Sequence, residues 1–527
     1  MTSIQPELAG RGIEPPVTLP APRGTPAPPP ARGLASNISA LATSQAITWS
    51  MTLLWAIVVP RLIGPAALGL LVGATAVTAI FGVLLGLPTR DFLTREMVAK
   101  PAAAPRVLGT ALLLRLCFVP VFLAGVALYA ATASLSSTGT AVLYLCTGAT
   151  LCTLLMEPLL SAFQATERMQ YLAYNEVLSK TLQSVGGIAL ALLGVGVVGL
   201  TWFGLGVSAL LLVLCTRWAR RLVRIEVRFE LAHLTSLARA SAPYWTFGVF
   251  FMIYLWIDSV LLALMAPAEV VGWYGVATRL FTTMMFLPVV LSTAWLPRLV
   301  AAFHEGEHAL YAAARRPVEV ALVISLPLSA AVTLTARDGI SLLYGDEFAG
   351  ASTPLAVLAL CLPPMYLSIM LSQVLVAAGR PKAWACLMAA ATVVNPAVNL
   401  VLVRSAESRW DNGAIGAALS LLVTEVLIVA GGMAIVGRHV VNRATVGRVS
   451  RSLLAVLVMA VAMTFVLGLP LAAPLRLVGA LLLGAGVFTA SAVALRVVTA
   501  HEIDVARSTF RQMARRRRGH REKGRLA

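Results

Sequence analysis

Apolar residues run along this chain in long blocks rather than alternating with polar ones. Fourteen blocks approach the length that crosses a bilayer core: 36–60, 66–89, 107–131, 140–163, 175–195, 198–218, 243–265, 272–296, 317–336, 354–378, 384–403, 413–437, 450–470 and 474–497. Inside hydrocarbon every backbone amide must be bonded within the chain, which leaves helices or closed barrels. Continuous blocks exclude the alternating strands of a barrel. The pattern therefore predicts an all-α polytopic membrane protein with fourteen transmembrane helices. Before the first block, residues 1–33 are rich in Pro, Ala and Gly and include Pro28-Pro29-Pro30. Such a stretch cannot form a core and reads as a disordered leader, or as a polyproline segment for a partner. The first block is too long for the core of a cleavable signal.

Composition and charge sharpen this picture. The chain has 527 residues, 59% hydrophobic and only 12% charged, whereas soluble domains are about 25% charged. Mean hydropathy is +0.85. With the N-terminus taken as inside, 34 of the 41 Lys and Arg fall on inside segments and 5 on outside ones, with Lys180 counted inside. Arg115 and Arg279 lie within helices. This bias follows the positive-inside rule and predicts a cytoplasmic-membrane protein with both termini cytoplasmic. It also explains the net charge of +18 through anionic lipid headgroups, without nucleic acid. The tail from His501 to Ala527, with Arg515-Arg516-Arg517-Arg518, reads as a solvated basic segment beside the membrane.

The two halves resemble each other. Gly69-Leu70-Leu71-Val72-Gly73-Ala74-Thr75 overlays Gly272-Trp273-Tyr274-Gly275-Val276-Ala277-Thr278, and Pro65 and Pro267 precede them. Later, Arg168 matches Arg380, and Gly204-Leu205-Gly206 matches Gly416-Ala417-Ala418. The order suggests a repeat of six helices. Because six is even, both copies enter from the same side, as parallel repeats about the membrane normal. The expected organisation is a cytoplasmic leader (1–33), an N-lobe with helices 1–6 (34–240), and a C-lobe with helices 7–12 (241–440). Helices 13 and 14 (441–498) and a basic cytoplasmic tail (499–527) complete the chain. A cavity between the lobes follows, worked by rocking one lobe against the other.

Polar side chains inside apolar blocks are the functional candidates. A charge in hydrocarbon costs a few kcal/mol, so it faces a protein interior or a wet cavity and often pairs. Asp258 lies 8 residues before Ala266 and Arg279 lies 8 after Val271, so both sit ~12 Å from the intervening turn. One depth on antiparallel helices predicts an Asp258–Arg279 contact. Arg115 is expected to snorkel to cytoplasmic headgroups, and Arg61 to anchor a helix end. Glu157 and Glu425 are intramembrane carboxylates that either titrate in an ion-coupled cycle or are held by hydrogen bonds. Gln373, Asn395 and Asn399 either bond between helices or line a cavity; Asn395 and Asn399 share a face.

Enzyme and cofactor signatures are not found. Gly194-Val195-Gly196-Val197-Val198-Gly199 fits GxGxxG but lies between two spanning blocks, outside any βαβ setting. There is no P-loop and no HExxH. The six cysteines form no CxxC and read as small core hydrophobes. The expectation is a transporter with no cofactor and no metal.

Val59-Pro60-Arg61-Leu62-Ile63-Gly64-Pro65-Ala66-Ala67-Leu68-Gly69-Leu70 resembles a turn of the MOP-superfamily oligosaccharide flippases of the Wzx, polysaccharide-biosynthesis type. So do Pro267-Ala268-Glu269-Val270-Val271-Gly272-Trp273-Tyr274, Leu296-Pro297-Arg298-Leu299, Leu343-Tyr344-Gly345-Asp346-Glu347-Phe348 and Ala378-Gly379-Arg380-Pro381. Asp258, Asn395, Asn399 and Gly413-Ala414-Ile415-Gly416-Ala417-Ala418 follow the same order. The resemblance covers roughly 36–437. Ala266 departs from it, where Gly is usual, as do the leader and tail. The resemblance implies a flippase that moves an undecaprenyl-diphosphate-linked oligosaccharide to the outer leaflet, with polysaccharide polymerase or assembly proteins as partners. A lipid II flippase and a drug/cation antiporter of the same superfamily are the alternatives. For that job Arg279 is the candidate diphosphate anchor, since Arg binds phosphate oxygens in a bidentate manner. Asp258 would hold it when the site is empty; a purely structural buried pair is the other reading.

Overall fold

The computed structural model describes residues 34–223, 225–436 and 440–497; the leader and basic-tail expectations lie outside the described residues. All regular structure within them is helical. The described residues divide between Thr43 and Ser44 into two units, the second running from Ser44 onward. The second unit contains all the candidate membrane spans.

The first two predicted spans form one run, α1 (Leu34–Gly82), broken at Gly64 with φ 79° and ψ 167°. A positive φ is cheap only for glycine. Pro65 then restarts the helix where no backbone N–H is needed. A 3-10 turn (Val83–Gly86) and the short α2 (Arg90–Ala99) follow. The first half is completed by α3 (Ala104–Thr132), α4 (Ser137–Ala165), α5 (Met169–Leu192) and α6 (Gly196–Leu222).

The second half opens with α7 (Leu231–Met265), which starts twelve residues before the predicted span. Its first turns bury Leu234 and Leu237 against the first half, near Leu87, Leu114 and Leu211. The predicted eighth span is divided at Met285 into α8 (Ala268–Met284) and α9 (Phe286–His304). α10 (Glu307–Tyr344) follows. The predicted tenth span is divided at Cys361 into α11 (Ser352–Leu360) and α12 (Leu362–Ala377), just before Pro363-Pro364. α13 (Pro381–Trp410) and α14 (Gly413–Val436) close this half, and α15 (Arg443–Leu467) and α16 (Ala473–Ala494) are appended.

Twelve helical runs among the described residues are long and apolar enough to cross a membrane, and the first, Ser50–Ala99, spans two predicted blocks. α5 is not one of the twelve, because Asn175, Glu176, Lys180 and Gln183 dilute it. One cluster built on α8 and α10–α14 forms the core of the second half, around Tyr274, Phe348 and Tyr366. α15 and α16 rest on α10 through Met459, Met463 and Ala480 against Ala330, Ala331 and Leu334. Two ion pairs bracket that seam: Arg448–Glu319 at 2.9 Å and Arg476–Asp338 at 2.5 Å. Cys215 and Cys361 are buried as expected, whereas Cys117 and Cys386 lie on exposed helix faces.

Candidate functional site

The halves meet at two places: along the start of α7, through Leu234 and Leu237, and at the end of the helices that carries the Gly64 and Ala266 turns. A methyl group added to Gly69 would lie 1.6 Å from the Ala268 carbonyl oxygen, and one added to Gly272 would lie 2.0 Å from that of Pro65. Gly275 would meet Val72 at 2.6 Å. Small residues let membrane helices approach this closely. Arg61, a sequence candidate, sits at this end and donates from Nη1 to the Leu342 carbonyl at 3.4 Å. Away from α1 and α7, no helix of α2–α6 makes extended contact with α8–α14 among the described residues.

Within the second half, α7, α8, α12, α13 and α14 bring together a buried polar network. Asp258 on α7 is 6% exposed, and Asn395 and Asn399 on α13 are 0% exposed. Asn399 Nδ2 donates to Asp258 Oδ1, and the Tyr274 hydroxyl donates to Asp258 Oδ2 at 3.4 Å. Asn399 Nδ2 also reaches Asn395 Oδ1 at 3.4 Å, and Asn395 Nδ2 donates to Thr424 Oγ1 at 3.3 Å. Asn399 Oδ1 is buried with no hydrogen-bond partner. One helical turn from Asp258, the Tyr254 hydroxyl donates to Glu425 Oε1, and Ser368 Oγ donates to Glu425 Oε2 at 3.0 Å. Two buried carboxylates thus share this half with hydroxyl and amide partners and, among the described residues, no paired cation. Gln373 lies apart, part-buried on α12, donating to Ser372 Oγ at 3.5 Å.

The expected Asp258–Arg279 contact is not formed. Arg279 instead places its guanidinium carbon 4.8 Å from the centre of the Trp55 ring on α1. Equal depth is not enough, because azimuth also decides. Gly272, Gly275 and Arg279 follow the spacing of one helix face, the face turned to α1. Tyr274, Ala277 and Phe281 are buried in the second half, and Tyr274 is about 140° around the helix from Arg279. Asp258 lies on the side of Tyr274.

Arg115 does not snorkel. It is 0% exposed, donates to the Leu154 and Pro88 carbonyls, and pairs with Glu157 Oε2 at 2.9 Å. Two carbonyls and a carboxylate hold its charge more cheaply than a stretched side chain reaching for the interface, as a buried charge requires. Glu157 is thereby tied to a structural partner. Lys180, counted from sequence with the inside loops, stands in the body of α5. Ser184, one turn on, donates to the Met51 carbonyl of α1 at 2.8 Å.

Sequence reasoning passed over Tyr254, Tyr274, Ser368, Thr424, Trp55 and Lys180. Tyr254 had a signal, since it precedes Asp258 by one turn. Trp55 had none, because aromatic residues are ordinary in apolar helices. Among the described residues no group of three His, Cys, Asp or Glu is placed to hold a metal.

Residues 34–303 match the polysaccharide biosynthesis protein family, and residues 243–401 match the MatE family. No curated protein matches the chain. Among solved structures, the lipid II flippase MurJ in an inward closed conformation superposes with a TM-score of 0.68 at 13% identity, covering 88% of this chain and 99% of that one. An inward-facing multidrug resistance MATE family transporter of the MOP superfamily gives 0.59 at 17% identity, covering 76% and 98%. At these identities the likeness is one of fold.

Proposed function

The chain belongs to the polysaccharide biosynthesis protein family, and on that premise we propose that it is a flippase for an undecaprenyl-diphosphate-linked oligosaccharide. A diphosphate cannot cross bare hydrocarbon, so the headgroup needs a polar path with cationic anchors, while the polyprenyl tail stays in lipid. The observation that carries the reading is Arg279. It belongs to the second half, faces the first, and rests on an aromatic ring rather than a carboxylate. A guanidinium in that position is free to take phosphate oxygens.

The glycine contacts at the turn end make this the state closed on that side, and rocking the halves apart there would release the headgroup. The membrane is the cytoplasmic one, with both termini on the cytoplasmic face. The flippase hands its cargo to polysaccharide polymerase or assembly proteins. Asp258 and Glu425 are the coupling sites. Each is a buried acid without a cation, and the unpartnered Asn399 Oδ1 offers Asp258 a neighbouring oxygen for a proton or monovalent cation. Glu157 is a weaker coupling site because Arg115 holds it.

A second reading is a lipid II flippase, supported by the fold likeness to MurJ along nearly all of that chain. It changes the glycan and not the anchor. A drug/cation antiporter is less well supported, since a cationic cargo would be repelled by Arg279. In cells that export a surface polysaccharide through this protein, Arg279→Ala is expected to abolish export at unchanged protein level. Normal export in that strain would refute the assignment.

A further inference from the structure

We propose that Lys180 and Trp55, both from the first half, complete the anionic-headgroup site with Arg279, so that one cation from each half grips the two phosphates. The inference rests on the flippase reading and extends it to a second anchor.

α5 lies along α1. Ser184 Oγ donates to the Met51 carbonyl at 2.8 Å, and a methyl on Gly187 would lie 3.1 Å from Trp55 Nε1. Lys180, Ser184 and Gly187 have the spacing of a single helix face, so Lys180 belongs to the face that lies against α1. The other side of Trp55's surroundings is Arg279, 4.8 Å from the ring centre. The two cations, one on α5 and one on α8, thus both stand on helix faces turned to the stretch of α1 around Trp55. Among the described residues neither forms an ion pair with a carboxylate of the other's half; Glu176 stands one turn before Lys180 on α5.

Two like charges drawn from opposite halves repel when nothing lies between them. The Trp55 ring offsets part of the Arg279 charge as a cation–π partner, a modest interaction. A phosphate is a stronger partner, because charge-assisted bidentate bonds exceed a cation–π contact. An arriving diphosphate therefore takes the N–H edge of Arg279 that a ring over its face leaves open, with Trp55 holding the guanidinium in place, and reaches Lys180 with its other phosphate. It turns a repulsion between halves into a bridge, and an empty transporter lacks that bridge. A neutral polyprenol has nothing to offer either cation.

The test uses the full chain in lipid nanodiscs, with undecaprenyl diphosphate and undecaprenol as probes, and native mass spectrometry to read binding. Lys180→Met is expected to weaken undecaprenyl diphosphate about tenfold and leave undecaprenol binding unchanged. Lys180→Arg restores the affinity. Trp55→Leu lowers the preference for the diphosphate over the alcohol, and Trp55→Phe retains most of it. If Lys180→Met binds the diphosphate as the unmodified protein does while Arg279→Ala loses it, the second anchor is refuted and the flippase reading stands. Equal loss of both lipids in Lys180→Met makes the lysine structural and also refutes the proposal. If the unmodified protein does not discriminate the diphosphate from the alcohol, the flippase reading falls, and the second anchor with it.

Discussion

Gly69 and Gly272 face each other's backbones across the two halves, and each is the other's counterpart in the internal repeat. Gly69 looks onto Ala268, and Gly272 looks onto Pro65, the residue that overlays Ala268 at the same offset of 203. Residue i meets j, and the copy of i meets the copy of j. Such reciprocity arises when a two-fold axis passes between equivalent residues. Any side chain at either position has no room while this end is closed.

Gly69→Ala and Gly272→Ala should each destabilise the closed arrangement by about 1–3 kcal/mol, the usual cost of overpacking. A disulfide formed between cysteines placed at Val72 and Gly275 reports closure. Its yield should fall in the Gly69→Ala background, with protein still in the membrane. Undiminished cross-linking would mean that the two backbones are not in close contact at this end.

Removing one partner of the Arg115–Glu157 pair leaves an uncompensated buried guanidinium. Because Glu157 is 35% exposed and Arg115 keeps its two carbonyls, Glu157→Ala should cost about 1–3 kcal/mol, seen as a fall in the unfolding temperature of the detergent-purified protein. The double substitution Arg115→Met, Glu157→Leu should be milder than Glu157→Ala alone. The opposite order would show that the pair is not the reason Arg115 is tolerated.

Asp258 separates structure from coupling. Asp258→Asn retains an oxygen to accept from Tyr274 or Asn399 and should leave the unfolding temperature near that of the unmodified protein. It should remove any dependence of transport on a proton or sodium gradient. Asn399→Ala deletes the donor and should cost about 1–3 kcal/mol. If Asp258→Asn transports with unchanged gradient dependence, coupling resides elsewhere, and Glu425 is tested next.

The seam that carries α15 and α16 is held by pairs less exposed than those elsewhere on the surface. Arg476–Asp338 has side chains 28% and 14% exposed, whereas Arg380–Glu307 has 47% and 53%. A double-mutant cycle on Arg380–Glu307 should give about 0–1 kcal/mol, as exposed pairs do, and the Arg476–Asp338 cycle should give more. Equal coupling energies would show that ion pairing does not dock these two helices.

Much of this was legible in the chain because hydrocarbon permits so few backbone solutions. Block lengths located the helices, and the glycines at 69 and 272 disclosed the repeat. What the chain hid was azimuth. Asp258 and Arg279 were placed at one depth from the turn, but a five-residue step from Tyr274 turns Arg279 to the opposite half. Arg115 was hidden for a related reason. Its partners Leu154, Pro88 and Glu157 come from segments 27 to 42 residues away, and apolar periodicity does not say which helices will be neighbours. Breaks inside predicted spans, at Met285 and Cys361, come just before Pro288 and Pro363-Pro364, whose missing N–H groups interrupt the helical ladder, and hydrophobicity alone does not mark them.

The most direct measurement of Arg279 as headgroup anchor is translocation in proteoliposomes that contain only this protein and a lipid-linked oligosaccharide, read as loss of glycan access to an external glycosidase. Glycan is expected to cross with the unmodified protein, Arg279→Ala to reduce the rate to that of empty vesicles, and Arg279→Lys to retain part of it. Equal rates for Arg279→Ala and the unmodified protein, or no crossing above empty vesicles for either, would contradict the assignment.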